Sequence, residues 1–112
     1  MPSDTFDSST MSGVLQQTEL VQYQPGSVVS RILVKNQGGN VTAFAFDHGQ
    51  GLAEHTAPFD ALVLMIEGEA EISISIIAHH VRAGQMLLLP AGQPHAVKAI
   101  TKFKMILVMI KA

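Results

Sequence analysis

The stretch GQMLLLPAGQPHAVKA, residues 84–99, decides how the rest of the chain is read. Gly84 and the Pro90-Ala91-Gly92 corner bracket a short apolar run at residues 85–89. This is the pattern of a strand held between a turn that glycine enters freely and a rigid Pro/Gly kink. The kink sets where the chain re-emerges, so His95 stands at a fixed place at the start of the next strand. Val97 and Ala99 share its face by period-two alternation.

Outward from this stretch, turn signals recur at Pro25-Gly26, Gly38-Gly39-Asn40, Gly49-Gln50-Gly51, Gly68 and Ala83-Gly84. Between them apolar residues alternate with period two. Val28, Ile32 and Val34 stand against Arg31 and Lys35, and Ile72, Ile74 and Ile76 against Glu71, Ser73 and Ser75. No segment of a dozen residues carries a capped apolar stripe of helical period. The spacing predicts about nine or ten strands, near residues 19–24, 27–36, 41–47, 53–57, 61–67, 69–76, 79–82, 86–90, 95–99 and 103–110. That is an all-β sandwich or closed barrel. Residues 62–66, 86–89 and 103–110 are apolar on both faces, as strands are when one face lines an interior and the other is covered.

With 112 residues the chain has room for one domain. Hydrophobic residues make up 47% and charged residues 14%, which excludes disorder of the whole chain. So few charges leave uncharged surface to be covered by self-association, and a homodimer is expected. A net charge of −2 and 7 scattered Lys and Arg residues give no field to collect phosphates, so no nucleic-acid partner is expected. The apolar run at residues 105–110 is far short of the ~20 residues that span a bilayer, so no membrane partner is expected either. Residues 1–13, rich in Ser, Thr and Asp, lack a basic start and an apolar stretch. They are read as a fraying N-terminal tail ahead of one domain at residues 14–112, and a cytoplasmic location follows by default. The absence of Cys removes disulfides, thiolate catalysis and Cys-ligated zinc together.

Gly84, Pro90, Gly92 and His95 stand at the spacing of the second motif of the cupin superfamily, with Ala99 where that motif usually ends in Asn. The first cupin motif is recognisable in GQGLAEHTAP, residues 49–58, closing with Glu67-Gly68-Glu69. The resemblance covers roughly residues 41–110 and is to a small single-domain cupin of the conserved-barrel, RmlC-like kind. It implies a double-stranded β-helix, the cupin jelly roll, with little or no helix. It also implies a mononuclear metal held by three His and one Glu. Here His55 matches the first of these, Ala57 stands at the second His, Ala61 or Leu62 at the Glu, and His95 at the last His. His55 and His95 are therefore a partial ligand set for a divalent metal such as zinc, iron, manganese or nickel, and no cofactor is firmly expected. The resemblance further implies a dimer paired through the N-terminal strand region, residues 19–34, with Leu20, Val29 and Leu33 as its apolar surface.

A strand beginning at His55 carries Ala57, Phe59, Ala61, Val63 and Met65 on its face. The predicted pocket is His55, Ala57, Ala61, His95, Val97, Ala99 and Met105: two imidazoles among small and apolar residues. Asp60 has the opposite parity and is read as accepting backbone N–H bonds at the Pro58 bend. His48 lies in a glycine-bounded loop and is read as solvent-exposed. His79 and His80 face opposite ways and cannot chelate together. Glu54, Glu67, Glu69 and Glu71 are read as solvated charges. Phe103, Met105, Leu107 and Met109, with Met65 and Met86, could wall a soft pocket but are read as plain core. Arg31, Lys98 and Lys104 all alternate away from the interior, so the expected ligand is small and neutral or monoanionic. The chain is thus read as a cupin barrel binding such a molecule through His55 and His95 without a complete metal centre. The competing class is a metal-dependent cupin oxygenase, isomerase or lyase with an unusual ligand set.

Overall fold

The computed structural model describes residues 13–111; the N-terminal tail assigned from sequence falls, apart from Gly13, outside them. Nine strands follow a short 3-10 turn at Gln17–Glu19. They are β1 (Val28–Asn36), β2 (Gly39–Phe46), β3 (Gly51–His55), β4 (Asp60–Glu67), β5 (Glu69–Ile74), β6 (Ile77–Arg82), β7 (Met86–Leu89), β8 (His95–Ala99) and β9 (Phe103–Ile110). They form a five-stranded sheet in the order β1-β2-β9-β4-β7 and a four-stranded sheet in the order β3-β8-β5-β6. Every pairing is antiparallel, and consecutive strands repeatedly change sheet, which is the jelly-roll double-stranded β-helix.

The strand expected at residues 19–24 does not form. Leu20 and Val21 are neighbours and both are buried, at 6% and 4% exposure. A strand turns neighbours to opposite faces, so the segment instead lies across the outer face of the five-stranded sheet. There Lys104 donates from Nζ to the Thr18 carbonyl at 2.6 Å, Arg31 donates to the Leu20 carbonyl at 3.2 Å, and the Tyr23 hydroxyl donates to Glu67 Oε2 at 2.6 Å. The Lys102 and Lys104 ammonium groups sit 4.7 and 4.8 Å from the centre of the Tyr23 ring. Burial first, then the Glu67 carboxylate, pushes the Tyr23 hydroxyl pKa well above its ordinary value. Lys104 points away from the interior as its parity requires, yet it is buried beneath this segment.

Two apolar cores result. The inner one, between the sheets, is built on Phe46, Phe103, Ile72, Val63 and Met105, with the Phe46 and Phe103 rings stacked at 4.4 Å. The outer one joins Leu20 and Val21 to Val29, Leu33, Ala43, Ala45 and Ile106. Leu20, Val29 and Leu33, the surface expected to pair copies, are therefore covered by their own chain. A β-bulge between Ile32 and Val34 makes a second correction. Val28 and Ile32 pair with Phe46 and Thr42, but past the bulge Val34 pairs with Val41 of the outer core and Lys35 with Asn40. Directly paired residues share a face, so Val34 turns outward and Lys35 inward, the reverse of a strict alternation.

Candidate functional site

β3 ends and β8 begins at the same end of the four-stranded sheet, and His55 and His95 are directly paired there. Their Nε2 atoms are 3.1 Å apart and the rings meet edge to face, 4.3 Å between centres. His55 is exposed, whereas His95 is only 9% exposed. Each ring turns its other nitrogen to a backbone carbonyl, His55 Nδ1 to Ala53 at 2.9 Å and His95 Nδ1 to Gln93 at 3.3 Å.

These three contacts have a proton requirement. A carbonyl only accepts, so each Nδ1 must carry a proton to bond it, and the Nε2–Nε2 contact needs a third proton. Two neutral imidazoles bring two. In the neutral pair, His95 Nε2–H donating to His55 Nε2 and His55 Nδ1–H donating to Ala53 satisfies the shorter two contacts, and His95 Nδ1 is left bare beside Gln93. Burial first, and the neighbouring His55 second, hold the His95 pKa below the ordinary imidazole value; the Gln93 carbonyl opposes them.

The frame around the pair is tied at several points. The Ala91 N–H donates to Asp60 Oδ1 at 2.8 Å, so this carboxylate accepts a backbone N–H at the Pro90–Gly92 corner rather than at the Pro58 bend where it was expected to. The Gly92 N–H donates to the Ala57 carbonyl at 2.8 Å and the Ser75 N–H to the Pro94 carbonyl at 2.7 Å. The Ser75 hydroxyl donates to Gln93 Oε1 at 2.7 Å. The Pro90–Gly92 corner and the residues leading to His95 are thereby fixed to the start of β4 and to the β5–β6 turn.

Not all of the predicted pocket gathers here. β3 stops at His55 and β4, in the other sheet, starts at Asp60, so alternation does not run unbroken from His55 to Ala61. Ala57 is half-buried in the intervening loop. Ala61, Val97, Ala99 and Met105 are all buried members of the inner core. Ala99 lies at the far end of β8, opposite Ala70 and about 13 Å of strand from His95. Met105 is paired with Met65 and Phe44 in mid-strand. These two belong to the packing of the barrel rather than to the surroundings of the pair.

Sequence reasoning passed over Asn40 and Thr42, which share the inward face of β2 with Phe44 and Phe46. Thr42 is buried and its hydroxyl donates to Asn40 Oδ1 at 3.4 Å, while the Asn40 amide approaches Met109 Sδ at 4.0 Å. Gly39, Ile110 and Asp60 stand in register, which places this polar pair at the end of the barrel where Asp60 holds the corner. The alternation of residues 40–46 was the available signal.

The remaining polar candidates lie elsewhere. His48 is exposed in the loop between β2 and β3. His79 Nδ1 lies against the Ile72 carbonyl at 3.3 Å, and His80 Nε2 against Glu69 Oε1 at 2.6 Å. Glu54 and Glu71 are exposed, but Glu67 and Glu69 are half-buried and bound to Tyr23 and His80, so those two are structural rather than freely solvated. Among the described residues no group of three His, Cys, Asp or Glu side chains is placed to hold a metal. Ala57, Ala61 and Leu62 offer no donor at the positions the cupin centre requires, so two imidazoles stand where four ligands are needed and the residues do not fit that centre. No helix among the described residues is long and apolar enough to cross a membrane.

The family model described as AraC-like ligand binding domain matches residues 38–109. A conserved protein of unknown function from Streptococcus pyogenes is 39% identical, with 90% of this chain and 89% of that one covered at a TM-score of 0.86. A cupin 2 conserved barrel domain protein from Leptotrichia buccalis is 38% identical over 84% of this chain and 46% of that one, at a TM-score of 0.81. A cupin superfamily protein from Desulfitobacterium hafniense has the same fold at 24% identity, with 90% of this chain and 93% of that one covered and a TM-score of 0.86. No curated protein matches the chain. The motif spacing, the jelly-roll topology and these likenesses agree, and the chain belongs to the AraC-like ligand-binding domain family of cupin barrels.

Proposed function

We propose that this barrel binds a small neutral or monoanionic organic molecule at the His55–His95 pair. The observation that carries the reading is the proton count: three hydrogen-bonding contacts converge on two imidazoles that bring two protons when neutral. A ligand hydroxyl or N–H entering at the exposed His55 edge donates to the Nε2 side in place of His95, which can then carry its proton on Nδ1 and donate it to the Gln93 carbonyl. When the pair is protonated, its Nε2–H donates to a ligand carboxylate instead, and the charge of the pair balances the anion with no other cation needed. The Ala53 carbonyl holds the His55 ring, and the bonds from Ser75 to Gln93 and Pro94 fix the approach to His95, so little ordering remains to be done on binding. The description of the matching family model, which names ligand binding, supports the same reading. The function proposed is that of a cytoplasmic ligand-binding module.

The test is 15N-detected histidine spectroscopy of the full chain during titration with a panel of small carboxylates and polyols, beside native mass spectrometry of freshly purified material. A member of the panel, or a co-purified molecule, is expected to shift the Nε2 signals of His55 and His95, and its binding is lost in His55→Ala and His95→Ala. Two results would overturn the proposal: binding that survives both substitutions, or near-stoichiometric iron, manganese, nickel or zinc that disappears in His95→Ala. The second replaces it with the metal-dependent reading.

A further inference from the structure

His55 and His95 are two members of a row that crosses the whole four-stranded sheet. His55 on β3 is paired with His95 on β8, His95 with Ile74 on β5, and Ile74 with Ile77 on β6. Directly paired residues share a face, and the buried His95 and the core-packed Ile74 identify that face as the inner one. The row beneath is closed by buried Val97 and Ile72, so these four side chains form a rim at one end of the barrel. The rim is polar at one end and apolar at the other, and its apolar end is open: Ile77 faces inward yet is 61% exposed. Between Ile74 and Ile77 the chain turns in two residues, a place where Gly, Asn or Asp is usual. Here Ser75 takes a φ of +54° and Ile76 stands 98% exposed. The Ser75 N–H and hydroxyl donate to Pro94 and Gln93, which locks the isoleucine end of the rim to the segment that aims His95. The opposite sheet repeats the polarity. Its end row runs from Leu89 through Ala61 and Met109 to Asn40, and β6 packs against β4, so Ile77 lies on the side of Leu89 and Ala61, and His55 on the side of Asn40.

We infer that the ligand of the histidine pair is an amphiphilic monocarboxylate, its carboxyl group at His55 and His95 and a short apolar chain or ring laid along the rim over Ile74 and Ile77. This rests on the pair being a ligand site and adds what the rest of the ligand must be. A wholly polar molecule such as a polyol leaves the open isoleucines in water, and a wholly apolar one desolvates the imidazoles without offering them a partner. A carboxylate on an apolar body meets both ends of the rim at once. From His95 to Ile77 is two strand spacings, about 10 Å, and that sets the length of the apolar part. Covering the isoleucines removes apolar surface of both partners from water, so each further methylene tightens binding until the chain passes Ile77.

Titration of the full chain with butanoate and octanoate at about pH 6, on the acid side of an ordinary imidazole, tests this, with affinity and the histidine 15N signals read together. Both acids are expected to shift the Nε2 signals of His55 and His95, and octanoate is expected to bind on the order of tenfold more tightly for its four further, half-covered methylenes. Ile77→Ser, at an exposed position, is expected to cut octanoate affinity about threefold more than butanoate affinity while melting stays cooperative. Ile100→Ser, exposed beyond the other end of β8, leaves the preference for octanoate unchanged. Equal affinities for the two acids overturn the inference, as does a preference for octanoate that ignores Ile77→Ser; in both cases the histidine signals still move and the histidine site stands. Histidines silent to both acids but shifted by a polyol also overturn the inference alone. Histidines silent to every compound overturn it together with the reading beneath it.

Discussion

Gly51→Ala is the substitution that most directly couples the fold to the site. Gly51 opens β3 opposite Lys98, and a methyl group built there lies 2.3 Å from the Val97 carbonyl oxygen and 3.3 Å from Lys98 Cα. The obstacle is backbone on both counts, so no side-chain rotation relieves it. β3 is an edge strand of five residues paired only with β8, and it yields by moving outward by about 1 Å. Its ladder then weakens at Gly51–Lys98 and Leu52–Val97, together with the bond from the Ala99 N–H to the Gln50 carbonyl. Two or three such bonds at about 1 kcal/mol each give a loss of roughly 2–3 kcal/mol, or about 10 °C in Tm for a domain of this size. The same displacement carries His55 away from His95, past the ~3.2 Å at which an N–H···N contact is strong. Gly84→Ala is the reference: its φ of +88° strains an alanine, but no atom lies within 4 Å of the added methyl. It should cost about 1 kcal/mol and leave the imidazoles in contact. The assay pairs thermal melting with histidine 15N spectra. If Gly51→Ala melts no lower than Gly84→Ala and keeps the wild-type histidine signals, β3 does not position the pair as argued.

The depressed His95 pKa gives a direction for acid stability. Its folded value lies below the 6.5 of a free imidazole, so the unfolded chain binds the proton more readily. The stability this neutral ring contributes is whole above pH 6.5 and is lost as pH falls toward the folded pKa, which denaturant midpoints measured across that window will show. Removing one cause should raise the value: in His55→Ala the His95 pKa moves up toward the ordinary range, and an NMR titration in which it stays or falls contradicts the coupling. Phe103→Ala, at a fully buried ring stacked on Phe46, should cost about 3–5 kcal/mol in urea unfolding; a loss under 1 kcal/mol would mean the barrel closes around the gap.

The barrel was legible where turn chemistry and period two agree. Gly84, Pro90 and Gly92 delimit β7 and place His95, and the sequence bounds of β4, β7, β8 and β9 fall within a residue of the observed ones. The features that escaped have local physical causes. Leu20 and Val21 read as strand-like because both are apolar, but burying adjacent side chains against one surface requires a chain that crosses the sheet. The bulge at Leu33 carries no glycine to announce it, so Val34 and Lys35 were assigned to the wrong faces. Motif spacing put His55 with His95, and the two are paired, while the alternation carried from His55 to Ala61 fails because the turn through Pro58 moves the chain from one sheet to the other.

The pairing of His55 with His95 also bears on what a merely structural role would require. A structural polar pair is stabilising when its contacts are complete, and an incomplete one costs about 1–3 kcal/mol for a buried acceptor left without a donor. Here the neutral pair lacks one proton for its three contacts, and His95, the member short of a donor, is the buried one. Adding a proton completes the contacts but places a charge where burial opposes it, so neither state of the pair is satisfied by the chain alone. Alanine at both positions would remove the conflict at the loss of only the two contacts the neutral pair satisfies. Instead, the Pro90–Gly92 corner is tied by Asp60 and Ala57, and the approach to His95 by Ser75, so the rings stay aimed at each other. A rigid frame around a pair one proton short is the arrangement a donor from outside completes, by taking over the Nε2 contact and freeing the His95 proton for Gln93. On this argument, measured stability should rise when the ligand is added and the gain should vanish in His95→Ala.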